Sequence, residues 1–190
     1  RVPSVAYAAS GEAHGTSTTI DWSASNKATI LTVWISDANT ANGGIASIAA
    51  SLTTTCSTSG GIEHLLGASS GYWTPLHRPA GAGDFWLERD TIDDTGVARV
   101  TVSLHDTTAA SEADEIRGYQ DGIEITGSTT GTSGGGANWQ SALHAVMGAR
   151  DAQGDEGLDG RLHRFVAMPS ALTNAQALRA SQCLLYTART

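Results

Sequence analysis

The chain has 190 residues, a formal net charge of −8 and 16% charged residues, and Lys27 is its only lysine. Binding to nucleic acid requires clustered cations that neutralise phosphates, so the composition argues against a nucleic-acid-binding protein. Apolar residues make up 40%, but no apolar run approaches the ~20 residues that span a bilayer. We therefore expect one globular domain over residues 1–190, with no membrane insertion.

Short strand patterns follow one another along the chain. The segment "ATILTVWIS" (28–36) is apolar on both faces and predicts a central strand of a sheet. The segment "VARVTVSLHD" (97–106) alternates, with Val100, Val102 and Leu104 on one face and polar residues on the other. Clusters of Gly, Asn, Asp and Ser separate such runs, which is typical of a β-sandwich or a β-barrel.

The segment "IRGYQDGIEI" (116–125) predicts a β-hairpin. Asp121 and Gly122 both tolerate positive φ angles, so they form the two-residue turn. Tyr119 on the incoming strand is expected to pack against the sheet. We interpret this stretch as structural rather than catalytic.

A single helix is predicted near the end of the chain, after Pro169. Thr173 is expected as the N-cap, and Gln176 three residues later completes a capping box. The helix is expected to be about two turns long, with Ala175, Leu178 and Gln182 on one face. The final segment "CLLYTA" (183–188) is predicted to be a strand that returns to the sheet, or a buried tail.

The order and spacing of these elements over roughly the last 90 residues resemble a laminin-G-like, concanavalin A-like lectin domain. The segments that carry the resemblance are a strand, a Tyr-x-x-Gly hairpin, a second strand, an acidic loop, a third strand and a short helix: 100–104, 119–122, 143–150, 151–159, 161–168 and 172–176. The resemblance implies an all-β fold. We expect a two-sheet antiparallel β-sandwich, a concanavalin A-like jelly roll, with one short C-terminal helix.

The acidic loop "RDAQGDEGLDG" (150–160) is a candidate metal site. It places four carboxylates close together: Asp151, Asp155, Glu156 and Asp159. Crowded hard oxygen ligands suit Ca²⁺, although the spacing is not that of an EF-hand. The resemblance points the same way, because related lectin-like domains often bind calcium at loops on the sandwich edge. The alternative is a solvated acidic turn.

The segment "GYWTPLHRP" (71–79) is a candidate ligand-binding loop. It is bounded by Gly and Pro, and Tyr72, Trp73 and His77 are its predicted ligand-binding residues. Aromatic rings in such a loop can stack on sugar faces or anchor a protein partner. The alternative is a loop that packs onto its own sandwich.

Motifs for catalysis are incomplete. The string "SEADEIRG" (111–118) carries Glu112 and Asp114 but lacks the last carboxylate of a jelly-roll glycosidase motif, so we interpret it as a solvated loop. The string "GASSG" (67–71) matches a nucleophile elbow, but no helical pattern follows it. His105, His144 and His163 lie on strand patterns and are expected at the sheet surface, where they could lie near one another.

Two cysteines, Cys56 and Cys183, lie far apart in the sequence. A disulfide between them would close a long loop and stabilise the fold by about 4 kcal/mol in the chain-entropy model. The alternative is two free thiols. The sequence contains no Cys-x-x-Cys pair, which argues against a structural zinc site.

The leading functional hypothesis is a non-catalytic recognition or adhesion module that binds glycan. The resemblance implies display on a larger particle, such as a phage virion, where the chain would be a decoration, fibre or tail protein. We therefore expect an extracellular or virion-surface location, with glycan or sister chains as partners and homo-oligomers as one possible state. Two alternatives remain: a purely structural assembly subunit, and a glycan hydrolase or lyase with an atypical site.

Overall fold

The computed structural model describes residues 4–7, 13–38, 43–66, 73–80, 85–89, 95–131, 133–150 and 157–188. Within these residues the strands form two antiparallel sheets that pack face to face. This confirms the predicted two-sheet β-sandwich with one C-terminal helix. No helix in the described part of the chain is long and apolar enough to cross a membrane.

The strands are numbered in chain order. The six-stranded sheet has the order β1 (Val5–Tyr7), β13 (Gly160–Met168), β3 (Lys27–Ser36), β8 (Arg99–Asp106), β9 (Ile116–Gln120) and β10 (Ile123–Ile125). The seven-stranded sheet has the order β11 (Gly127–Gly131), β7 (Phe85–Arg89), β6 (Trp73–Arg78), β5 (Gly61–Leu66), β4 (Gly44–Ala49), β12 (His144–Met147) and β2 (His14–Gly15). The helices are α1 (Cys56–Ser59), a 3-10 helix (Glu112–Asp114) and α2 (Asn174–Ala188).

Strand β3 is central, as its apolar pattern predicts. It pairs with β13 on one side and with β8 on the other. Ile30 and Trp34 are fully buried on the face that packs against the seven-stranded sheet. Leu31 and Val33 are buried on the opposite face, where they pack with residues of α2. Both faces of this strand therefore contribute to the core.

Strand β8 alternates as predicted, but neither of its faces meets solvent. Val100, Val102 and Leu104 lie under α2 on the outer face of the six-stranded sheet. Ser103 and His105 point into the sandwich, where both are 0% exposed. The prediction that His105 lies at the surface is therefore wrong. The reason is that α2 covers the apolar face, so the polar face of the strand becomes the inner one.

The hairpin at Asp121 and Gly122 is confirmed. Ile123 of β10 pairs with Gln120 of β9, and the two turn residues have φ angles of 53° and 80°. Such angles at both central positions fit a type I′ turn. Tyr119 packs against the sheet as predicted and is 2% exposed.

Helix α2 begins with the predicted capping box. The backbone N–H of Gln176 donates to Oγ1 of Thr173, and the N–H of Thr173 donates to Oε1 of Gln176 over 2.9 Å. The helix is longer than predicted, because it continues to Ala188 through the segment expected to be a strand or tail. Its buried side is also different. Ala177 and Ser181 are buried, whereas Ala175 and Gln182 are exposed.

The longer helix follows from the sheet beneath it. The apolar outer faces of β3 and β8 need a cover, and Leu184 and Leu185 in the last turns of α2 pack on that surface. Cys56 and Cys183 do not form a disulfide with each other: Cys56 is buried against the outer face of the seven-stranded sheet, and Cys183 is exposed on α2.

Candidate functional site

The predicted aromatic loop is largely a strand. Residues Trp73–Arg78 form β6, so the loop prediction is wrong there. The alternation of β6 points Trp73 and His77 into the sandwich, and both are 0% exposed. Rings buried in this way cannot stack on a sugar in this conformation. Tyr72 lies outside the described residues, and its ligand-binding role stays a prediction.

The predicted calcium loop is described only at its end. Asp151, Asp155 and Glu156 lie outside the described residues. Asp159 is half-buried, and its carbonyl oxygen accepts a 2.7 Å hydrogen bond from the N–H of Asp37. Among the described residues no group of three or more His, Cys, Asp or Glu side chains could hold a metal ion. The calcium site therefore stays a prediction.

The chain segments that carry these two predicted sites join the same end of the seven-stranded sheet. Trp73, which follows Tyr72, pairs with the last residue of β5. Arg150, which precedes the acidic loop, donates from Nε to Oε1 of Glu63 over 2.9 Å on the outer face of the sheet. Two candidate sites that are distant in sequence are thus attached to one region of the fold.

The three histidines that were predicted at the sheet surface do not lie together in the structure. His144 on β12 is half-buried and bonds through Nδ1 to the carbonyl oxygen of Thr16 over 2.8 Å. His163 lies on β13 at a register shift between Leu162 and Arg164. The structure instead brings His105 together with His64 and His77 in the interior.

A polar cleft of about 270 Å³ opens beside the first turn of α2. Its charged walls are two ion pairs, Lys27 with Asp106 and Arg117 with Asp114. Its apolar lining comes from Leu104, Ala171 and Leu172, and its remaining lining from Thr173 and Asn174 at the helix start. We call these nine residues the α2 cleft.

The fold builds the α2 cleft from distant parts of the chain. The register of β3 and β8 places Lys27 opposite Asp106, and Nζ of Lys27 lies 2.7 Å from Oδ2 of Asp106. Arg117 at the start of β9 pairs with Asp114 and also donates to Glu124 over 3.3 Å. The four paired side chains of the cleft are between 27% and 47% exposed, so a ligand can reach them.

Both carboxylates of the cleft are held in the ionised form. Partial burial alone would raise the pKa of Asp106, but hydrogen bonds from Lys27 and Thr108 outweigh it and lower the pKa. Hydrogen bonds from Ser111 and then Arg117 lower the pKa of Asp114. The cleft therefore offers two fixed acceptors and two fixed donors at neutral pH.

Sequence reasoning missed this site for two reasons. Asp114 lies in the string that we interpreted as a solvated loop, although it forms part of a 3-10 helix at the cleft wall. Lys27 and Asp106 are 79 residues apart, and only the strand register brings them together. The feature of the sequence that could have indicated this site is Lys27, the only lysine of the chain.

No protein-family model matches the chain, and no curated protein is similar to it in sequence. Among solved structures, a heptameric SAP-like pentraxin from Limulus polyphemus aligns with a TM-score of 0.66 and 14% identity, over 92% of this chain and 77% of the pentraxin. The CBM40 domain of a Ruminococcus gnavus sialidase, bound to α2,3-sialyllactose, aligns with a TM-score of 0.59 and 11% identity. That alignment covers 95% of this chain and 98% of the CBM40 domain.

Domain 4 of an extracellular arabinanase from Geobacillus stearothermophilus, in complex with arabinotriose, aligns with a TM-score of 0.57 and 15% identity. The alignment covers 83% of this chain and 68% of the arabinanase domain. At these identities the likenesses concern the fold. The chain thus has the jelly-roll β-sandwich architecture of lectin-like and carbohydrate-binding domains.

Proposed function

We propose that this protein is a non-catalytic glycan-recognition module, and that the α2 cleft binds an uncharged part of a sugar. The observation that carries the proposal is the composition of the cleft. Two ion pairs line an exposed cleft of about 270 Å³ that also has an apolar lining.

The cleft suits sugar hydroxyls for a simple electrostatic reason. Its two cations and two carboxylates balance, so it favours neither an anion nor a cation. Each sugar hydroxyl both donates and accepts a hydrogen bond, and charged partners strengthen such bonds. Leu104 and Leu172 can contact the C–H groups of a sugar ring beside these hydroxyls.

The similar structures support the choice of ligand class. Two of them are carbohydrate-binding domains in complex with sialyllactose and arabinotriose. In both cases a protein of this fold is in complex with a sugar. The present chain shares the architecture, and its own cleft supplies the polar groups that a sugar requires.

The chemistry of the described residues favours binding over hydrolysis. A glycosidase needs one carboxyl group with a raised pKa as the general acid, but Asp106 and Asp114 both have lowered pKa values. Ser103 lies 2.7 Å from Nε2 of His105, as a nucleophile would lie from its base. Both side chains are 0% exposed, so no substrate reaches them.

A glycan array followed by calorimetric titration of the best ligand tests the proposal. We expect Asp114→Ala and Arg117→Ala to weaken binding about tenfold or more, because each removes a charge-assisted hydrogen bond worth roughly 1.5–3 kcal/mol. The matched control is Asp37→Ala, which breaks the exposed pair between Asp37 and Arg161 far from the cleft. That variant should bind like the original protein.

The competing location is the loop end of the seven-stranded sheet. If Tyr72→Ala abolishes binding while the two cleft variants retain it, the sugar binds there and the cleft assignment is wrong. If the unmodified protein binds no glycan on the array, the recognition proposal itself is contradicted.

Display on a larger particle, such as a phage virion, extends the proposal to the setting of the chain. It implies an extracellular or virion-surface location and partners that are sister or virion chains. A pentraxin of similar fold is a heptamer, which supports testing self-association. Light scattering coupled to size exclusion should then show a defined oligomer. A monomer at all concentrations would argue against the structural-subunit alternative.

A further inference from the structure

A continuous chain of buried side chains crosses the interior of the sandwich. It contains eight residues of the six-stranded sheet, the seven-stranded sheet and the segment before β9: Trp34, Thr101, Thr32, His64, Ser103, His105, His77 and Glu115. Each is at most 2% exposed. We call this set the buried polar chain.

The links of the chain are short. Nε1 of Trp34 donates to Oγ1 of Thr101 over 3.2 Å, and Oγ1 of Thr101 lies 2.5 Å from Oγ1 of Thr32. Thr32 lies 3.1 Å from Nδ1 of His64. Nε2 of His64 lies 2.6 Å from Oγ of Ser103.

The second half of the chain continues from Ser103 to a carboxylate. Oγ of Ser103 lies 2.7 Å from Nε2 of His105, and the Nδ1 atoms of His105 and His77 are 3.2 Å apart. Nε2 of His77 lies 3.4 Å from Oε2 of Glu115. Glu115 also accepts hydrogen bonds from the hydroxyl of Ser133 and, over 2.8 Å, from the N–H of Gly134.

The two ends of the chain fix the direction of every link. The indole of Trp34 can only donate, and an ionised Glu115 can only accept. Each hydroxyl has one proton to donate, and each neutral imidazole has one N–H and one bare nitrogen. Nε2 of His77 faces Glu115 across an electrostatic contact of 3.4 Å rather than a hydrogen bond. With a proton on that nitrogen, only one arrangement of neutral rings satisfies the other six links.

In that arrangement the protons all point from Trp34 towards Glu115. His64 and His77 carry their proton on Nε2, whereas His105 carries it on Nδ1. A second proton on any of the three rings would place a positive charge on a side chain that is 0% exposed. The hydroxyls have a second lone pair and can turn to accept from the charged ring, but removing that charge from water costs free energy unless a partner charge offsets it.

We propose that the buried polar chain makes the sandwich sensitive to mild acid, because its three histidine rings are fully buried and, among the described residues, only one carboxylate contacts any of them. Acid then opens the packing between the two sheets while surface carboxylates are still ionised.

The charges around the chain support this behaviour. Burial lowers the pKa of His64 to about 3. Burial and then the neighbouring rings of His77 and His64 lower the pKa of His105. Burial also lowers the pKa of His77, although Glu115 partly opposes the shift. Among the described residues, Glu115 is the only carboxylate that contacts any of the three rings, and it contacts His77 alone. Its oxygens also accept hydrogen bonds from Ser133 and Gly134.

The other charged groups on these strands point elsewhere. On β5, Glu63 faces the outer side of the sheet, where it pairs with Arg150. On β6, Arg78 is on the same outer face as Glu63. At the two ends of β8, Arg99 pairs with Asp121 and Asp106 pairs with Lys27. None of these described groups can stabilise a proton on the buried rings.

The test is urea unfolding of the unmodified protein at a series of pH values between 7 and 5. The unfolded chain protonates its histidines below about pH 6.5, and the three buried rings of the folded chain stay neutral, so each buried histidine lowers the folding equilibrium constant about tenfold per pH unit. Three of them predict a loss of several hundredfold from pH 6 to pH 5. A change smaller than about tenfold overturns the proposal.

A variant locates the effect. In His105→Gln the amide can accept from Ser103 and donate to His77, but it does not titrate. We expect the pH dependence to fall by one proton, about tenfold per pH unit. The matched control is His14→Gln, because His14 is exposed on β2 and lies outside the chain; its pH dependence should equal that of the unmodified protein. An unchanged slope in a folded His105→Gln protein overturns the proposal, and if that variant does not fold, the unmodified protein decides.

Discussion

The two faces of strand β8 differ in chemistry but are equally buried. The outer face presents Val100, Val102 and Leu104 to helix α2. The inner face presents Thr101, Ser103 and His105 to the other sheet. An amphipathic strand usually turns its apolar face inward and its polar face to water. Here the apolar face is covered by a helix, and the polar face is paired within the sandwich.

The comparison shows that burial alone does not decide which residues a strand can carry. The outer face is stabilised by removal of apolar surface from water, which depends little on direction. The inner face is stable only while each polar atom keeps its partner, because an unpaired polar group in the interior costs about 1–3 kcal/mol. The inner face should therefore be the more sensitive of the two to small changes.

The largest effect is expected from a substitution at the centre of the inner face. Ser103→Ala removes the hydroxyl that joins His64 to His105 and leaves two ring nitrogens unpaired. We expect the free energy of unfolding to fall by about 2–6 kcal/mol at pH 7, measured by urea unfolding. The control is Ser23→Ala at an exposed serine that bonds to Asp21, which should change stability by less than about 0.5 kcal/mol.

An isosteric exchange in each direction compares the faces directly. Thr101→Val makes the inner face apolar at that position. It removes the acceptor of the indole N–H of Trp34 and leaves the hydroxyl of Thr32 bonded to His64 alone. Val102→Thr places a hydroxyl under α2, where it is buried. We expect each exchange to destabilise the fold by about 1–3 kcal/mol. If Thr101→Val is neutral or stabilising, the inner face is not held by its hydrogen bonds.

Glu115, the last residue of the buried polar chain, gives a prediction for the stability of the protein in acid. Burial raises the pKa of Glu115, but the contact with His77 and hydrogen bonds from Ser133 and Gly134 outweigh it and lower the pKa below the ordinary value of 4.5. Its stabilisation is therefore present above pH 4.5 and is lost as the pH falls through the lower, folded-state pKa. Glu115→Gln should be less stable at pH 7.

Below pH 4.5 the variant should also lose stability less steeply, by about one proton or about 1.4 kcal/mol per pH unit. Parallel acid-unfolding curves for the two proteins below pH 4.5 would show that Glu115 does not titrate with folding.

The smallest expected effect concerns the cover of the outer face. Thr173→Ala removes the hydroxyl that accepts from the N–H of Gln176 at the start of α2. Loss of such a cap costs about 1 kcal/mol, so thermal unfolding should shift down slightly with little change in circular dichroism. A loss as large as that of Ser103→Ala would mean that the helix, rather than the inner face, limits stability.

Local patterns predicted the parts of the fold that local chemistry determines. The run at 28–36, the Asp121–Gly122 turn and the Thr173–Gln176 capping box each encode their structure within a few residues. The length and the buried side of α2 were not predictable in this way, because they depend on an apolar sheet face formed by β3 and β8. His105 was misplaced for the same reason.

The candidate site was less accessible to sequence reasoning than the fold. The α2 cleft depends on strand register, which joins Lys27 to Asp106, and on a 3-10 helix that carries Asp114. Trp73 and His77 looked like loop residues because Gly and Pro flank their segment. Their burial follows from the pairing of β6 with β5, which the sequence of that segment does not reveal.

The most direct test of the account is the proton position on the three buried rings. Nitrogen-15 chemical shifts and long-range couplings of the histidine rings at pH 7 distinguish the two neutral forms from the charged form. We expect neutral rings throughout, with the proton on Nε2 in His64 and His77 and on Nδ1 in His105. A charged ring among the three, or His105 protonated on Nε2, would contradict the proton order and with it the explanation of the inner face of β8.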